Sequence, residues 1–276
     1  MNVHAVAGLD DPRVAVYRSL RRVAALRRDR CFVAEGARVV TQLLESPLTV
    51  RSLLLEPRWL EAFDALLAAR PEEGLDVYVA SKSQLERIVG YHVHQGAMAV
   101  AEAPEPPDLG ATARGDAEPL FVSLSGVSNA ENVGGILRTM AGFGATGLLI
   151  DGATCDPFVR RAARVSMGAA FRIPVWRCDD MAGTLRDLRR DCGVRCVAAH
   201  VRDDRVALDA ADLSGPLLVA LGSEADGLPD DVVDACDQVV EIPMAGGWAC
   251  LNVGTAGAIL LWEVVRRRRH GVHGDR

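Results

Sequence analysis

The chain has 276 residues, 49% of them hydrophobic and 25% charged, with a formal net charge of −6. Such a length is where a single hydrophobic core stops growing, so two domains are expected, and the composition excludes a disordered or collagenous chain. The negative total excludes a protein that coats nucleic acid by bulk attraction, so any such binding has to come from local fields.

The N-terminal stretch "MNVHAVAGLDDPRVAVYRSLRR" lacks the order of basic, apolar and small residues that marks a secretion signal, and no run approaches eighteen apolar residues. No membrane association and a cytoplasmic location are the expectations. Seven cysteines, at 31, 155, 178, 192, 196, 236 and 250, form no paired CxxC motifs. Reduced thiols and no bound metal follow.

Arginines cluster at 18–30, at Arg160, Arg161 and Arg164, and at 266–269. Each cluster reads either as a solvated helix face or as a contact to phosphate. From residue 11 to about 102, the apolar runs "CFVAE", "VRSLLLE", "LDVYVAS" and "GAMAVAEA" alternate with amphipathic stretches, the pattern of a small α/β domain over 1–102. Residues 103–118, "APEPPDLGATARGDAE", have the Pro, Gly and acidic content of a linker. A second α/β domain is predicted over 119–276. Its strand candidates "LFVSLSG", "TGLLIDG", "PVWRC", "VRCVAAHV", "PLLVALGS" and "QVVEIP" are runs fit for strands covered on both faces. The helical pieces between them imply a mostly parallel sheet, which binds ligands beyond the carboxyl ends of its strands.

Three such ends carry polar and glycine residues. After "LFVSLSG" comes "VSNAENVGGILRTMAGFG", in which Asn129 or Asn132 can cap a helix. Gly134 and Gly135 suit a tight turn, and Arg138 is either a surface charge or functional. The segment gives neither the GxGxxG fingerprint nor a phosphate loop, which leaves a nicotinamide-dependent enzyme resting on glycine-rich turns alone. After "LLVAL", Gly222 and Ser223 lead to Glu224, a carboxylate that is costly at a strand end unless it is solvated, paired or capping a helix. The third end is "IPMAGGWACLNVGTAGAILLWE", whose glycines permit close backbone approach and whose Asn252 stands where a helix cap stands.

Taken in order, "NVGGILRTMAGFGATGLLI", "RVSMGAAFRIPV", "LGSEADGLP" and "IPMAGGWACLNVGTAGAILLWE" resemble the successive motifs of the SpoU (TrmH) family of RNA ribose 2′-O-methyltransferases, in the SPOUT superfamily. The resemblance covers roughly residues 120–268. Less distinctively, "CFVAEGARVVTQLLESPLTVRSLLLEP" looks like the start of an L30e-like RNA-binding domain. The resemblance implies a deep trefoil knot in the C-terminal domain, a homodimer, and S-adenosyl-L-methionine held by Gly222, Ile242 and Leu251 with Met244 nearby. It also implies a catalytic constellation of Arg138, Asn132, Glu224 and Asn252 acting on a ribose 2′-hydroxyl, in 23S ribosomal RNA rather than transfer RNA. The chain departs from the family pattern in two places: "SNAE" before Asn132 lacks the usual Asp-Pro, and Cys250 and Gly254 stand where serines are usual. That departure motivates the alternative of a catalytically inactive, knotted RNA-binding protein.

Overall fold

Runs of Val, Leu and Ile that can hide both faces become the strands of two sheets in the computed structural model, which describes residues 1–8, 10–18, 30–93, 95–202, 204–245 and 251–271. The chain divides into two units, Met1–Pro104 with Pro157–Arg172, and Glu105–Asp156 with Ile173–Arg276. Most of the first arginine cluster, residues 19–29, lies outside the described residues, as does Cys250.

Among the described residues, the first unit holds β1 (Asn2–Ala5), β2 (Cys31–Glu35), β3 (Val50–Leu55), β4 (Asp76–Val79) and β5 (Ala97–Glu102) in the order β1-β4-β3-β5-β2. β5 runs antiparallel to both of its neighbours, so the sheet is mixed. The strand β1 is unforeseen by periodicity because it is an exposed edge. Helix Lys82–Val89 is bounded as its sequence dictates: Ser81 and Gln84 form a capping box, and Gly90 closes it in the left-handed conformation. Arg70, nearly buried, donates to the carbonyls of Leu44, Ser46 and Leu48 and pairs with Glu72.

The hydrogen bond from Arg70 holds the Glu72 carboxyl down to about 2. In the second unit, Arg266 holds Glu263 to about 2 in the same way. Carboxylates depressed in the folded state contribute stability above their unfolded pKa and lose it as pH falls through the folded one. The melting temperature is therefore expected to fall steadily between pH 4.5 and about 2. Scanning calorimetry at stepped pH checks this, and Glu72→Gln should flatten part of the slope.

The second unit holds a fully parallel sheet of β6 (Leu120–Ser125), β7 (Gly147–Ile150), β8 (Val175–Arg177), β9 (Arg195–Ala199), β10 (Val206–Ala207), β11 (Leu217–Gly222) and β12 (Gln238–Glu241), in the order β10-β12-β9-β11-β6-β7-β8. β6 and β11 are central and buried, and they end level, Ser125 opposite Gly222. From β6 the chain continues to β7 on one side, whereas β11 lies on the other, so the carboxyl ends of β6 and β11 flank the switch point where such sheets bind ligands.

Two expectations need correction. Within the segment read as a linker, Leu109–Arg114 is a helix, capped by the Asp108 side chain on Ala111 N, and its Leu109 and Ala113 pack against the core of the second unit. The i, i+4 pair supplies the apolar contact that composition alone obscured. Segment 157–172, placed by sequence in the second domain, belongs to the first unit: Phe158 packs tilted against Phe32 at 5.1 Å and Phe171 stacks on it at 5.2 Å.

Helices Ala130–Phe143 and Val253–Gly271 pack together on one face of the second sheet. Asn129 caps the first helix, its side chain accepting from Glu131 N at 2.8 Å, and Gly144 ends it in the left-handed conformation. Gly134 and Gly135 therefore lie inside this helix and do not form the turn expected of them. At the far end of Val253–Gly271, Arg267 donates to the carbonyls of Leu208, Asp209 and Ala211, and Arg268 to those of Glu118, Pro119 and Gly215. These two arginines, read in sequence either as a solvated helix face or as a contact to phosphate, are occupied in bracing the fold. No described helix is long and apolar enough to cross a membrane.

Candidate active site

The level ends of β6 and β11 bring two polar loops together. Beyond β6, the cap at Asn129 starts a helix whose third residue is Asn132. Beyond β11, residues 223–227 form a tight turn in which Ser223 and Gly227 exchange backbone hydrogen bonds at 3.1 and 3.0 Å. Asp226 N donates to Ser223 Oγ at 3.0 Å and shapes the turn further. Glu224 projects from it.

Asn132 Nδ2 donates to Glu224 Oε1 at 3.1 Å, and Asn252 Nδ2 donates to the same oxygen at 2.6 Å and to Asn132 Oδ1 at 3.0 Å. Val253 N adds a further hydrogen bond to this cluster, donated to Glu224 Oε1 at 3.3 Å. Asn252 has a second duty as the cap of the last helix, its Oδ1 accepting from Gly254 N at 3.0 Å and Thr255 N at 3.2 Å. Three of the four residues expected to act together thus form one hydrogen-bonded group, held by two helix starts and one strand-end turn. Position 254 contributes its backbone N–H, which any residue but proline would supply.

Arg138 stands apart from this group. It is exposed on the same helix as Asn132, six residues on, hence about 9 Å along the axis and turned by about 120°.

Beside the group lies a cavity of about 340 Å³, a size that suits small-molecule sites. Gly222, Ile242, Met244 and Leu251, the four residues expected at a cofactor, all line it, and so does Glu224. Leu221, Val240, Val253 and Ala256 make much of its wall apolar. Gly222 is required by space: a Cβ there would lie 2.1 Å from Gly227 C and 2.3 Å from Leu228 N. The bare backbone and apolar wall fit a nucleoside that is recognised through main-chain groups. His200, Asp226 and Glu241 also line the cavity and were not foreseen. His200 follows the carboxyl end of β9, so extending the strand-end search to that strand would have found it.

The comparisons agree with this architecture. Residues 119–262 match the model of the SpoU rRNA Methylase family, and residues 33–107 match that for RNA 2′-O ribose methyltransferase substrate binding. The chain belongs to the SpoU rRNA methylase family, with an N-terminal substrate-binding domain. It is 34% identical over 254 residues to an uncharacterized tRNA/rRNA methyltransferase of Mycobacterium avium, covering 90% of this chain and 81% of the relative. Among solved structures, an AdoMet-bound rRNA methyltransferase from Sinorhizobium meliloti is 28% identical with a TM-score of 0.82, covering 96% of this chain and 98% of that one. The SpoU methyltransferase AviRb from Streptomyces viridochromogenes shares the fold at 24% identity and a TM-score of 0.81, over 95% of this chain and 99% of its own.

Proposed function

We propose that this chain is an S-adenosylmethionine-dependent methyltransferase that modifies a ribose 2′-hydroxyl of ribosomal RNA, in 23S rather than transfer RNA. The observation that carries the reading is the double role of Glu224: it lines the cavity walled by Gly222, Ile242 and Leu251, and it anchors Asn132 and Asn252. A polar group fixed at the rim of a nucleoside-sized cavity can orient an incoming hydroxyl, the requirement for transfer to a weak nucleophile. The AdoMet-bound relative and the substrate-binding match support the cofactor and the RNA.

When bound, the cofactor supplies the reactive methyl carbon. The chain supplies position: backbone around Gly222 and along Ile242–Met244 and Leu251 for the nucleoside, and the Asn132–Glu224–Asn252 group for the ribose. The part of Arg138 is to hold the phosphate beside the target and steady the 2′-oxygen, with phosphate, water or the guanidinium itself taking the proton. The reading extends to a trefoil-knotted C-terminal segment and a homodimer in the cytoplasm. Trp262, 48% exposed and packed 5.9 Å from Phe143, offers an apolar face for the second copy.

Arg138→Ala is expected to leave calorimetric binding of S-adenosylmethionine unchanged and to lower transfer of radiolabelled methyl to deproteinised ribosomal RNA by at least about a hundredfold. Unimpaired turnover in that variant would remove Arg138 from the mechanism. Cofactor binding by the wild-type chain without transfer to ribosomal or transfer RNA would favour the inactive RNA binder instead.

A further inference from the structure

Three connections meet at one end of the first unit: the residues after β2, those after β3, and those before the antiparallel β5. Gln95 ties them together. Its Oε1 accepts from Ala37 N at 2.8 Å, and its carbonyl accepts from Trp59 Nε1 and, at 3.4 Å, from Arg58. Gly36 and Gly96 both have positive φ, 97° and 60°, and a Cβ on Gly96 would meet the Glu56 carboxyl at 1.8 Å, so the connections close tightly only with glycine there.

Two guanidinium groups lie over aromatic rings at this end, Arg58 over Trp59 at 5.2 Å and Arg160 over Tyr91 at 4.2 Å from the ring centres. Both are neutralised, Arg58 by Glu56 at 3.3 Å and Arg160 by the buried Glu35 at 2.9 Å. Arg38 and Arg164 differ. Both are exposed, neither guanidinium has a hydrogen bond or ion pair among the described residues, and the two share the lining of one cavity of about 190 Å³ with Gly36 and Gln95.

Uncompensated guanidinium forks match the paired oxygens of a phosphate. A cation and an aromatic ring held together are the groups on which unstacked bases are received, and duplex RNA does not present such bases. We propose that this end of the first unit holds a single-stranded segment of the substrate RNA, with Arg38 and Arg164 on successive phosphates and the Arg58–Trp59 and Arg160–Tyr91 pairs under its bases. The proposal rests on the RNA-modifying reading above and adds the place and the strandedness of recognition.

The test uses the full chain and a fluorescein-labelled, unstructured oligoribonucleotide, alone and annealed as a duplex, with affinity read by anisotropy across a salt series. The wild type should prefer the single strand. In the double variant Arg38→Ala/Arg164→Ala, affinity should fall by about tenfold or more and the log–log salt slope by about 1.4, roughly 0.7 for each phosphate that is no longer neutralised. Calorimetric binding of S-adenosylmethionine should stay unchanged, and Arg51→Ala, which removes an exposed arginine paired with Glu102, should leave RNA affinity unchanged. An affinity within about twofold of wild type at an unaltered salt slope overturns the proposed surface while leaving the enzyme reading intact. An equal loss in Arg51→Ala also overturns it, by showing diffuse attraction. A wild-type chain that binds no RNA overturns both readings.

Discussion

Alanine at position 222 is expected to abolish measurable binding of S-adenosylmethionine and to destabilise the second unit. The added methyl would stand 2.1, 2.2 and 2.3 Å from Gly227 C, Gly227 O and Leu228 N, all backbone atoms. None can swing aside as a side chain can, so the 223–227 turn has to move by roughly an ångström, taking Glu224 and one wall of the cavity with it. Forced overpacking of this kind costs about 1–3 kcal/mol, which in a unit of this size lowers the melting temperature by several degrees, at about 2–4 °C per kcal/mol. Calorimetric titration and a thermal melt of the same preparation read both effects. Gly142→Ala makes the contrast: its Cβ would meet nothing within 4 Å and it sits within a helix, so stability should hold or rise by up to about 1 kcal/mol. If Gly222→Ala binds cofactor normally, backbone proximity at this strand end is not what recognises the nucleoside.

Asn252→Asp separates the two duties of that residue. Aspartate caps a helix as well as asparagine does, and its charge suits a helix N-terminus, so the bonds from Gly254 N and Thr255 N should survive. The other atom changes from a donor into an oxygen, 2.6 Å from Glu224 Oε1 and 3.0 Å from Asn132 Oδ1. Two carboxylates at that distance repel unless they share a proton. The expected result is a melting temperature within a few degrees of wild type and methyl transfer reduced about a hundredfold, the scale on which a displaced orienting group costs rate. Partial recovery should follow as pH is lowered and the pair takes up its proton. Initial rates against pH check both parts, and a full rate at neutral pH would reduce Asn252 to a helix cap.

The central strands were legible because their burial on both faces leaves an uninterrupted apolar signature, as in "LLVAL" of β11 and "LFVSL" of β6. The strands β1 and β10 left none, since one is an exposed edge of four residues and the other has only two. Asn132, Glu224 and Asn252 were legible singly, as polar residues beyond strand ends; that they act as a group was implied by the family resemblance, and parallel strands deliver such ends to one rim. The bracing by Arg70, Arg267 and Arg268 was not, for a physical reason: their partners are main-chain carbonyls, which every residue possesses and no sequence pattern singles out. The attachment of 157–172 to the first unit was hidden for another reason: Arg160 pairs with the Glu35 carboxylate across a large sequence separation, which no local pattern records.

The strand order of the second sheet also fixes a timetable for synthesis. β11 lies between β9 and β6, yet it is made after both, and Asn252 leaves the ribosome 120 residues behind its partner Asn132. At about 5–20 residues per second that interval is roughly 6–24 s. During the first part of it the apolar edge of β6 that will receive β11 has no mate, and open strand edges of this kind invite pairing with other chains. The nascent protein is thus most exposed to aggregation before the middle of its sheet is filled, and the Asn132–Glu224–Asn252 group cannot close until nearly all of its described sequence has emerged.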